Sequence, residues 1–467
     1  WDDEAVWKDM LRSPIGIFQF EGDFAFQMLK QYEPHSIFDM SLVTAALRPS
    51  GASYRDDLMK HKPHKNPSPI IDDLLADNNG YLIYQEDVIK FLQQICGFSG
   101  SDADNTRRAI GRKDKDRLDK ALPQILEGYC EKSPQPRDIA EQEAKEFLQI
   151  IEDASSYMFG YNHSVGYCMI GYLCAYLRYY HPYEFITAYL NNANNDEDVK
   201  NGNELAILYG IKIVPPRFGL SKDKYLLNKE EKVIAKGISS VKYMNADVAN
   251  ELYALAEVSK PKSFMELLQL MSERTHLDTR QRDILIKIDY FIEYGNAKEL
   301  LRMVDIFSFI KNGTMKKVLK EKLTPELEPI VAQYATDISK SGGKAKSYTF
   351  TDMPGLLLHL EGVIRDMHIQ DFDLKCKMQD QMENLGYIDL TTDKKEDRRK
   401  LIIMEVFPLK SKANKEIWGY ALQTRSIGSG KTSRLTVRSR LFDKKPLKRL
   451  DVIYATDVRQ EHSGYWY

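Results

Sequence analysis

Apolar residues recur every three or four positions up to about residue 390, then alternate with polar ones towards the end of the chain. The first pattern predicts amphipathic helices and the second predicts strands. Phe24, Met28, Leu29 and Tyr32 share one helical face and predict a helix over 24–32. The proline-rich run 61–69 reads as a loop, and 70–75 as a short helix. Residues 87–96 predict another helix, ending before Gly97. Asp102-Ala103-Asp104 offers an N-cap to a helix carrying Arg107 and Arg108, which Gly111 would break or end. Residues 141–156 predict a further helix. The stretch 165–180 is apolar almost all round, which predicts a buried helix, stopped by Pro182 and restarted over 185–190.

Beyond this the pattern changes. Asn and Asp concentrate over 191–203 and mark a boundary. Residues 211–216 read as extended, since proline disfavours helix before it. Residues 225–227 and 233–235 flank an Asn-Lys-Glu-Glu turn and predict a hairpin. Helices are predicted over 237–256 and 264–274, a second boundary over 339–346, and mostly helix over 354–386. Residues 401–406, 417–423, 435–441 and 452–458 predict the strands of a small β-barrel. The fold class is therefore α+β, mainly helical and closed by a small barrel, with divisions at 1–200, 201–340, 341–398 and 399–467.

Composition narrows the function classes. Among 467 residues, 66 Lys and Arg balance 68 Asp and Glu, so any nucleic-acid contact must come from local patches. The five cysteines show no paired metal spacing, which suits a reducing cytoplasm. No apolar run reaches membrane-spanning length, so a membrane is not an expected partner. The chain opens at Trp1 in sequence that already looks folded, and is expected to be a piece of a longer polypeptide.

Thr106-Arg107-Arg108-Ala109-Ile110-Gly111-Arg112-Lys113 sets four cations around one glycine. Guanidinium groups bind phosphate oxygens in pairs, so the cluster suits a polyphosphate or a nucleic-acid backbone. Cations also gather at ordinary helix C-termini, so a solvated helix end is the other reading.

Other segments accompany the cluster in a fixed order. Gly16-Ile17-Phe18-Gln19-Phe20-Glu21 and Ala46-Leu47-Arg48-Pro49 precede Tyr84-Gln85-Glu86-Asp87-Val88. Tyr157-Met158-Phe159-Gly160-Tyr161-Asn162-His163-Ser164-Val165-Gly166-Tyr167 and Tyr179-Tyr180-His181-Pro182-Tyr183-Glu184-Phe185 follow. In this order they resemble the fingers region of the C-family replicative DNA polymerases of bacteria, the DNA polymerase III alpha subunits. The resemblance is dense over about 14–220 and thinner beyond. It implies a DNA-directed DNA polymerase whose substrates are primer-template DNA and deoxynucleoside triphosphates. It implies that Arg107 and Arg108 contact the triphosphate, with His163, Ser164 and Tyr167 beside the nucleotide. Arg48, Arg112 and Lys113 are candidate DNA contacts. Arg55 and Lys60-His61-Lys62 are further candidates, for which a solvated surface is the better reading.

In the resembled family the metal-holding aspartates sit in a palm domain that precedes the matching stretch. Mg2+ is thus implied for the complete polymerase, with no ligands in this chain, and the palm is an implied partner. Asp102 and Asp104 have an Asp-x-Asp spacing but fall at a helix start. Residues 237–246 fall where the family carries a helix-hairpin-helix, which makes Lys242 and Asn245 candidate DNA contacts. The terminal strands resemble an OB-type barrel, with Arg434 and Arg438 among its cations. A sliding clamp is a further implied partner, although Gln370-Asp371-Phe372-Asp373-Leu374 matches a clamp peptide poorly.

The chain also departs from the family. Gly160-Tyr161 stands where an Asn-Lys pair is usual, and Tyr243 and Asn245 stand where the hairpin has glycines. Two function classes stay open: a portion of a polymerase, including a phage or mobile-element version, and a non-catalytic DNA-binding or replisome-docking derivative.

Overall fold

The computed structural model describes residues 1–154, 158–312, 315–390, 395–411 and 415–456. Residues 155–157, predicted to end one helix and to open the Tyr-Met-Phe-Gly motif, lie outside it, as do 457 and 458 at the end of the last predicted strand. The chain divides into two compact units, Trp1–Ile211 and Lys212–Tyr467.

The first unit is helical. Its backbone of packing is the long helix Tyr161–Tyr180, which lies against Ile37–Ala46 and Glu4–Met10. Gly171 makes this close: a Cβ there would stand 2.8 Å from Met40 Cε and 3.1 Å from the Phe18 carbonyl oxygen. Val6, Met10, Ile17, Phe20, Leu29, Met40, Val43 and Cys168 fill the resulting core. Arg178 is fully buried within the helix, and donates to the carbonyl oxygens of Asp9, Ser13 and Ile15. It thereby fixes the chain leading into the Gly16–Glu21 motif.

The long helix is not buried all round, contrary to what its composition predicts. Met169, Ile170, Leu173, Tyr176, Leu177 and Tyr180 form an exposed stripe at helical spacing. Apolar composition alone cannot distinguish a covered face from a bare one.

A second core joins Phe91, Ala103, Ile110, Ile125, Tyr129 and Phe147. It seats the arginine helix, Gly100–Arg112. Two expectations change here. The N-cap is Ser99, whose Oγ accepts from the Asp102 N–H at 3.2 Å, so Asp102 lies inside the first turn. Gly111 does not end the helix. Lys113 does, at φ 55°, because Asp114 must at once cap the following helix Lys115–Lys132. Helices Gln85–Lys90 and Arg137–Ala154 complete the surroundings of the site.

Among the described residues the second unit has three small sheets. Strands β1 (Lys212–Val214), β2 (Leu226–Asn228) and β3 (Val233–Ala235) form the first, with the predicted hairpin pairing β2 to β3. The second sheet is β4 (Lys311–Asn312), β5 (Met315–Leu319), β6 (Ala335–Ser341) and β7 (Lys344–Phe350), in the order β4-β5-β7-β6. Ser339–Lys346, expected as a boundary, is the tip of the β6–β7 hairpin. Gly342 and Gly343 at φ 56° and 82° supply the two positive-φ positions of a tight turn.

The predicted helix over 237–256 starts only at Ala246 and runs to Ser259. Ile238 and Ser239 donate instead to the carbonyl oxygens of Lys222 and Asp223, which holds the segment in turns. One core runs from Phe218 to Leu385, built largely on helices Phe264–Arg274, Ala297–Ile310 and Met353–Asp366.

The terminal strands are β8 (Lys400–Lys410), β9 (Ile417–Ser426), β10 (Thr432–Arg438) and β11 (Val452–Tyr454). They form an antiparallel sheet in the order β10-β9-β8-β11. The α+β class, helical and then a small β region, is as expected, and among the described residues β10 and β11 do not pair with each other. Among the described residues no helix is long and apolar enough to cross a membrane.

Candidate nucleotide-binding site

The site is assembled around Tyr84-Gln85-Glu86-Asp87, at the start of the short helix Gln85–Lys90. Each of the four side chains engages a different neighbour. The buried Tyr84 hydroxyl pairs with Ser41 Oγ on the helix Ile37–Ala46. Glu86 Oε2 accepts the Tyr161 N–H at 2.8 Å, at the first residue of the long helix. A carboxylate is favoured there by the helix dipole. Asp87 Oδ2 accepts from the backbone of Tyr84 (2.7 Å) and Ile83 (3.2 Å) and from Asn78 Nδ2 (2.9 Å). Burial pushes the Asp87 acid up to about 6, with those N–H donors and Lys90 opposing.

Gln85 reaches two places. Its Nε2 donates to the Met158 carbonyl oxygen at 3.1 Å, and its Oε1 accepts from Arg107 Nη1 at 3.0 Å. Its backbone N–H donates to the Phe159 carbonyl oxygen at 3.0 Å, within a parallel bridge of Tyr84 to Phe159. The arginine helix and the segment entering the long helix thus meet through one residue.

Arg107 and Arg108, adjacent on their helix, converge on one carboxylate. Asp104 Oδ1 accepts from Arg107 Nε at 3.0 Å and Nη2 at 2.9 Å, and Oδ2 pairs with Arg108 Nη2 at 2.7 Å. Arg107 first, then Arg108, holds the Asp104 carboxyl below the usual range. The Arg107 side chain is 21% exposed and Arg108 57%, so the second is the freer to move. Arg112 and Lys113 are exposed at the helix end and make no ion pair among the described residues.

On the other side of Gln85 lies a row of rings. The Arg48 guanidinium carbon stands 4.8 Å from the Phe159 ring centre. Phe159 meets His163 edge-on at 5.3 Å, His163 meets Tyr167 at 4.0 Å, and Tyr167 meets Phe18 at 5.3 Å. His163 is exposed and Tyr167 half-buried. Ser164 faces the opposite way: it is fully buried, and its hydroxyl donates to the Ser41 carbonyl oxygen at 3.0 Å. A cavity of about 370 Å³ behind the junction is lined by Phe38, Asn78, Tyr84, Asp87 and Tyr161 among others, and neither arginine lines it.

Arg48, Arg107, Arg108, His163 and Tyr167 therefore belong to one connected network. Arg55 instead donates to the carbonyl oxygens of Ala46 and Arg48, and Lys62 pairs with Asp57. Asp104, Gln85 and Phe159 are participants that the sequence reading did not single out for a role at the site. Asp104 had a signal, since it stands three and four residues before the two arginines. The pairing of Gln85 with Met158 spans 73 positions and has no local signal.

In the second unit, Lys242 is exposed and its backbone N–H donates to the Asn384 carbonyl oxygen at 2.9 Å. Tyr243 takes φ 65°, with Arg280 stacked 3.5 Å from its ring centre and Gln281 Nε2 donating to its carbonyl oxygen at 2.8 Å. Asn245 is extended and caps the helix Ala246–Ser259, its Oδ1 accepting from the Val248 N–H at 2.9 Å. Arg434 and Arg438 are exposed on β10, and their spacing puts both on one face.

Phosphoryl transfer to a primer needs two metal ions held by acids. Among the described residues no group of three or more His, Cys, Asp or Glu side chains could hold one. Asp102 accepts the Ser99 hydroxyl proton at 2.6 Å, and Asp104 is committed to the arginines. The acids of the arginine helix do not fit that chemistry.

Residues 1–133 match the family model for the bacterial DNA polymerase III alpha subunit finger domain. The chain is 28% identical to the DNA polymerase III subunit alpha of Aquifex aeolicus over 313 residues, which are 65% of this chain and 26% of that relative. It is 25% identical to the Borreliella burgdorferi subunit over 366 residues, 76% of this chain and 31% of the relative. It is 26% identical to the Treponema pallidum subunit over 343 residues, 72% and 28% respectively. The chain thus spans between about a quarter and a third of the length of these curated relatives.

Proposed function

We propose that this chain is the fingers-to-C-terminal portion of a C-family DNA-directed DNA polymerase, and that its first unit grips the incoming deoxynucleoside triphosphate. The observation that carries this reading is the connected network from Arg108 and Arg107 through Gln85 to Phe159, Arg48 and His163. It offers guanidinium groups for phosphate oxygens on one side and, for a base on the other, the exposed His163 ring beside half-buried Phe159 and Tyr167. Guanidinium donors act most strongly where a closed complex excludes water. Every base presents a π-face, so ring stacking tolerates all four. Tyr167 and Ser164 belong to the same helix turn, the first at the surface of the row and the second in its support.

The second unit is the DNA-holding part of this reading. The turn at Lys242–Asn245, leading into the helix Ala246–Ser259, takes the place of the family's hairpin against duplex phosphates, and β8–β11 act as an OB-like surface carrying Arg434 and Arg438. Arg112 and Lys113 extend the positive potential of the first unit towards primer-template DNA. Mg2+ is held by the palm of the complete, cytoplasmic enzyme, and a sliding clamp is a further partner.

A deoxynucleoside triphosphate bearing a photoreactive group on its γ-phosphate tests the central assignment in the complete polymerase. Labelling is expected within peptide 99–113. Labelling confined to other peptides contradicts the assignment. Binding of DNA with no nucleotide labelling at all favours the non-catalytic derivative, to which the missing cation at Gly160-Tyr161 also points.

A further inference from the structure

Tyr84, Glu86 and Asp87 each anchor a neighbouring element, but Gln85 alone in this motif touches Arg107. Its amide has one possible orientation. A carbonyl oxygen cannot donate, so the end facing the Met158 carbonyl at 3.1 Å is Nε2. A guanidinium cannot accept, so the end facing Arg107 at 3.0 Å is Oε1. Glutamate lacks the donor, lysine lacks the acceptor, and methionine of the same length lacks both. The amide is also neutral, so it holds Arg107 without cancelling its charge.

The geometry of Arg107 follows from this contact. Asp104 takes its Nε and one Nη2 proton, and Gln85 takes one Nη1 proton. Those three bonds leave two of the five guanidinium N–H groups for another anion. Asp104 sits on the same helix as Arg107 and moves with it. Gln85 is the contact that ties the guanidinium plane to a different element, the Met158–Phe159 segment that carries the ring row.

We propose that Gln85 is a positioning residue for nucleotide binding: it sets the plane of the Arg107 guanidinium and couples it to the segment bearing Phe159 and His163. This rests on the reading of Arg107 as a triphosphate ligand. Ordering of the Met158–Phe159 segment and alignment of Arg107 then occur together, so base stacking and phosphate binding are linked through one side chain.

The test is steady-state primer extension by the complete polymerase, with Gln85→Met, Gln85→Glu and Arg107→Ala compared. Gln85→Met keeps side-chain length and removes both polar contacts. It is expected to raise KM for the nucleotide about tenfold, the size of one hydrogen bond to a charged group. The thermal midpoint, kcat and affinity for primed DNA are expected to stay near wild type. Gln85→Glu keeps an acceptor for Arg107 but adds a second anion, so KM is expected to rise further, and the excess to shrink as salt is raised. If Arg107→Ala raises KM and Gln85→Met leaves it within about twofold, the positioning role is wrong and the triphosphate assignment stands. If Gln85→Met lowers the thermal midpoint, kcat and DNA affinity together, Gln85 is a packing residue and the proposal fails. If Arg107→Ala itself leaves KM unchanged, the assignment beneath the proposal fails and takes the proposal with it.

Discussion

Asp104 holds Arg107 side-on, with one carboxylate oxygen accepting from both Nε and Nη2 at 3.0 and 2.9 Å. Its second oxygen takes Arg108 at 2.7 Å, so one internal anion occupies both arginines. A carboxylate and a phosphate present similar oxygen pairs to a guanidinium. On the proposed reading, an incoming triphosphate would meet guanidinium groups whose charge Asp104 already partly neutralises. Asp104→Asn is expected to tighten nucleotide binding by about two- to fivefold at low salt, in keeping with a partly exposed ion pair worth about 1 kcal/mol or less. Titration calorimetry with a non-hydrolysable triphosphate checks this. Weaker binding in the variant would mean that Asp104 aligns the arginines rather than competing for them.

Asp87 carries the pH prediction. Burial raises its acid from an ordinary 3.8 to about 6 in the folded protein. A group raised in this way stabilises the fold fully below the unfolded value, and that contribution is lost as pH rises through the folded one. Wild type should therefore lose stability relative to Asp87→Asn between about pH 4 and 6, with no further change above about 7. Urea midpoints of the two proteins across that range measure the difference. A constant difference would show that Asp87 titrates normally.

Tyr243 occupies a backbone conformation that costs a bulky residue about 1–3 kcal/mol, at φ 65°. Arg280 over its ring returns about 0.5–1 kcal/mol at an exposed site. Tyr243→Gly is thus expected to leave the second unit equally stable or up to about 2 kcal/mol more stable. It would also open the turn to a phosphate, so duplex affinity should rise and fall more steeply with salt. Melting curves and binding across a salt series test both parts. Loss of DNA affinity would instead assign the ring itself to the DNA contact.

The chain alone is not expected to extend a primer, since no metal-holding group of acids stands among the described residues. Purified protein with primed template, nucleotides and magnesium checks this. Robust extension would place the catalytic acids within this chain.

Much of the first unit was legible because its helices carry their apolar faces locally, as Leu29 and Tyr32 do, although Phe24, expected on that face, is exposed and Phe26 is buried in its stead. Helix ends were less so: Ser99, Ser101, Asp102 and Asp104 can all cap, and burial of Ala103, Thr106 and Ile110 decides among them. The sheet over 311–350 was missed because β6 is almost wholly exposed and shows no apolar alternation. The exposed stripe of the long helix was misread because its outward residues are as apolar as its inward ones. At the site, the order of motifs pointed to Arg107, Arg108 and His163. Their connection through Gln85 depends on backbone carbonyls far away in sequence, which no local pattern encodes.

The most direct test compares nucleotide dependence with DNA binding for Arg107→Ala and Arg108→Ala in the complete polymerase. The account predicts a loss of roughly 2–4 kcal/mol in transition-state stabilisation, as for removal of one preorganised donor, read as a fall in kcat/KM for the nucleotide. Affinity for primed DNA without nucleotide should change much less. If both variants keep normal nucleotide dependence but lose DNA binding, the arginine pair belongs to a backbone-gripping surface and the account is contradicted.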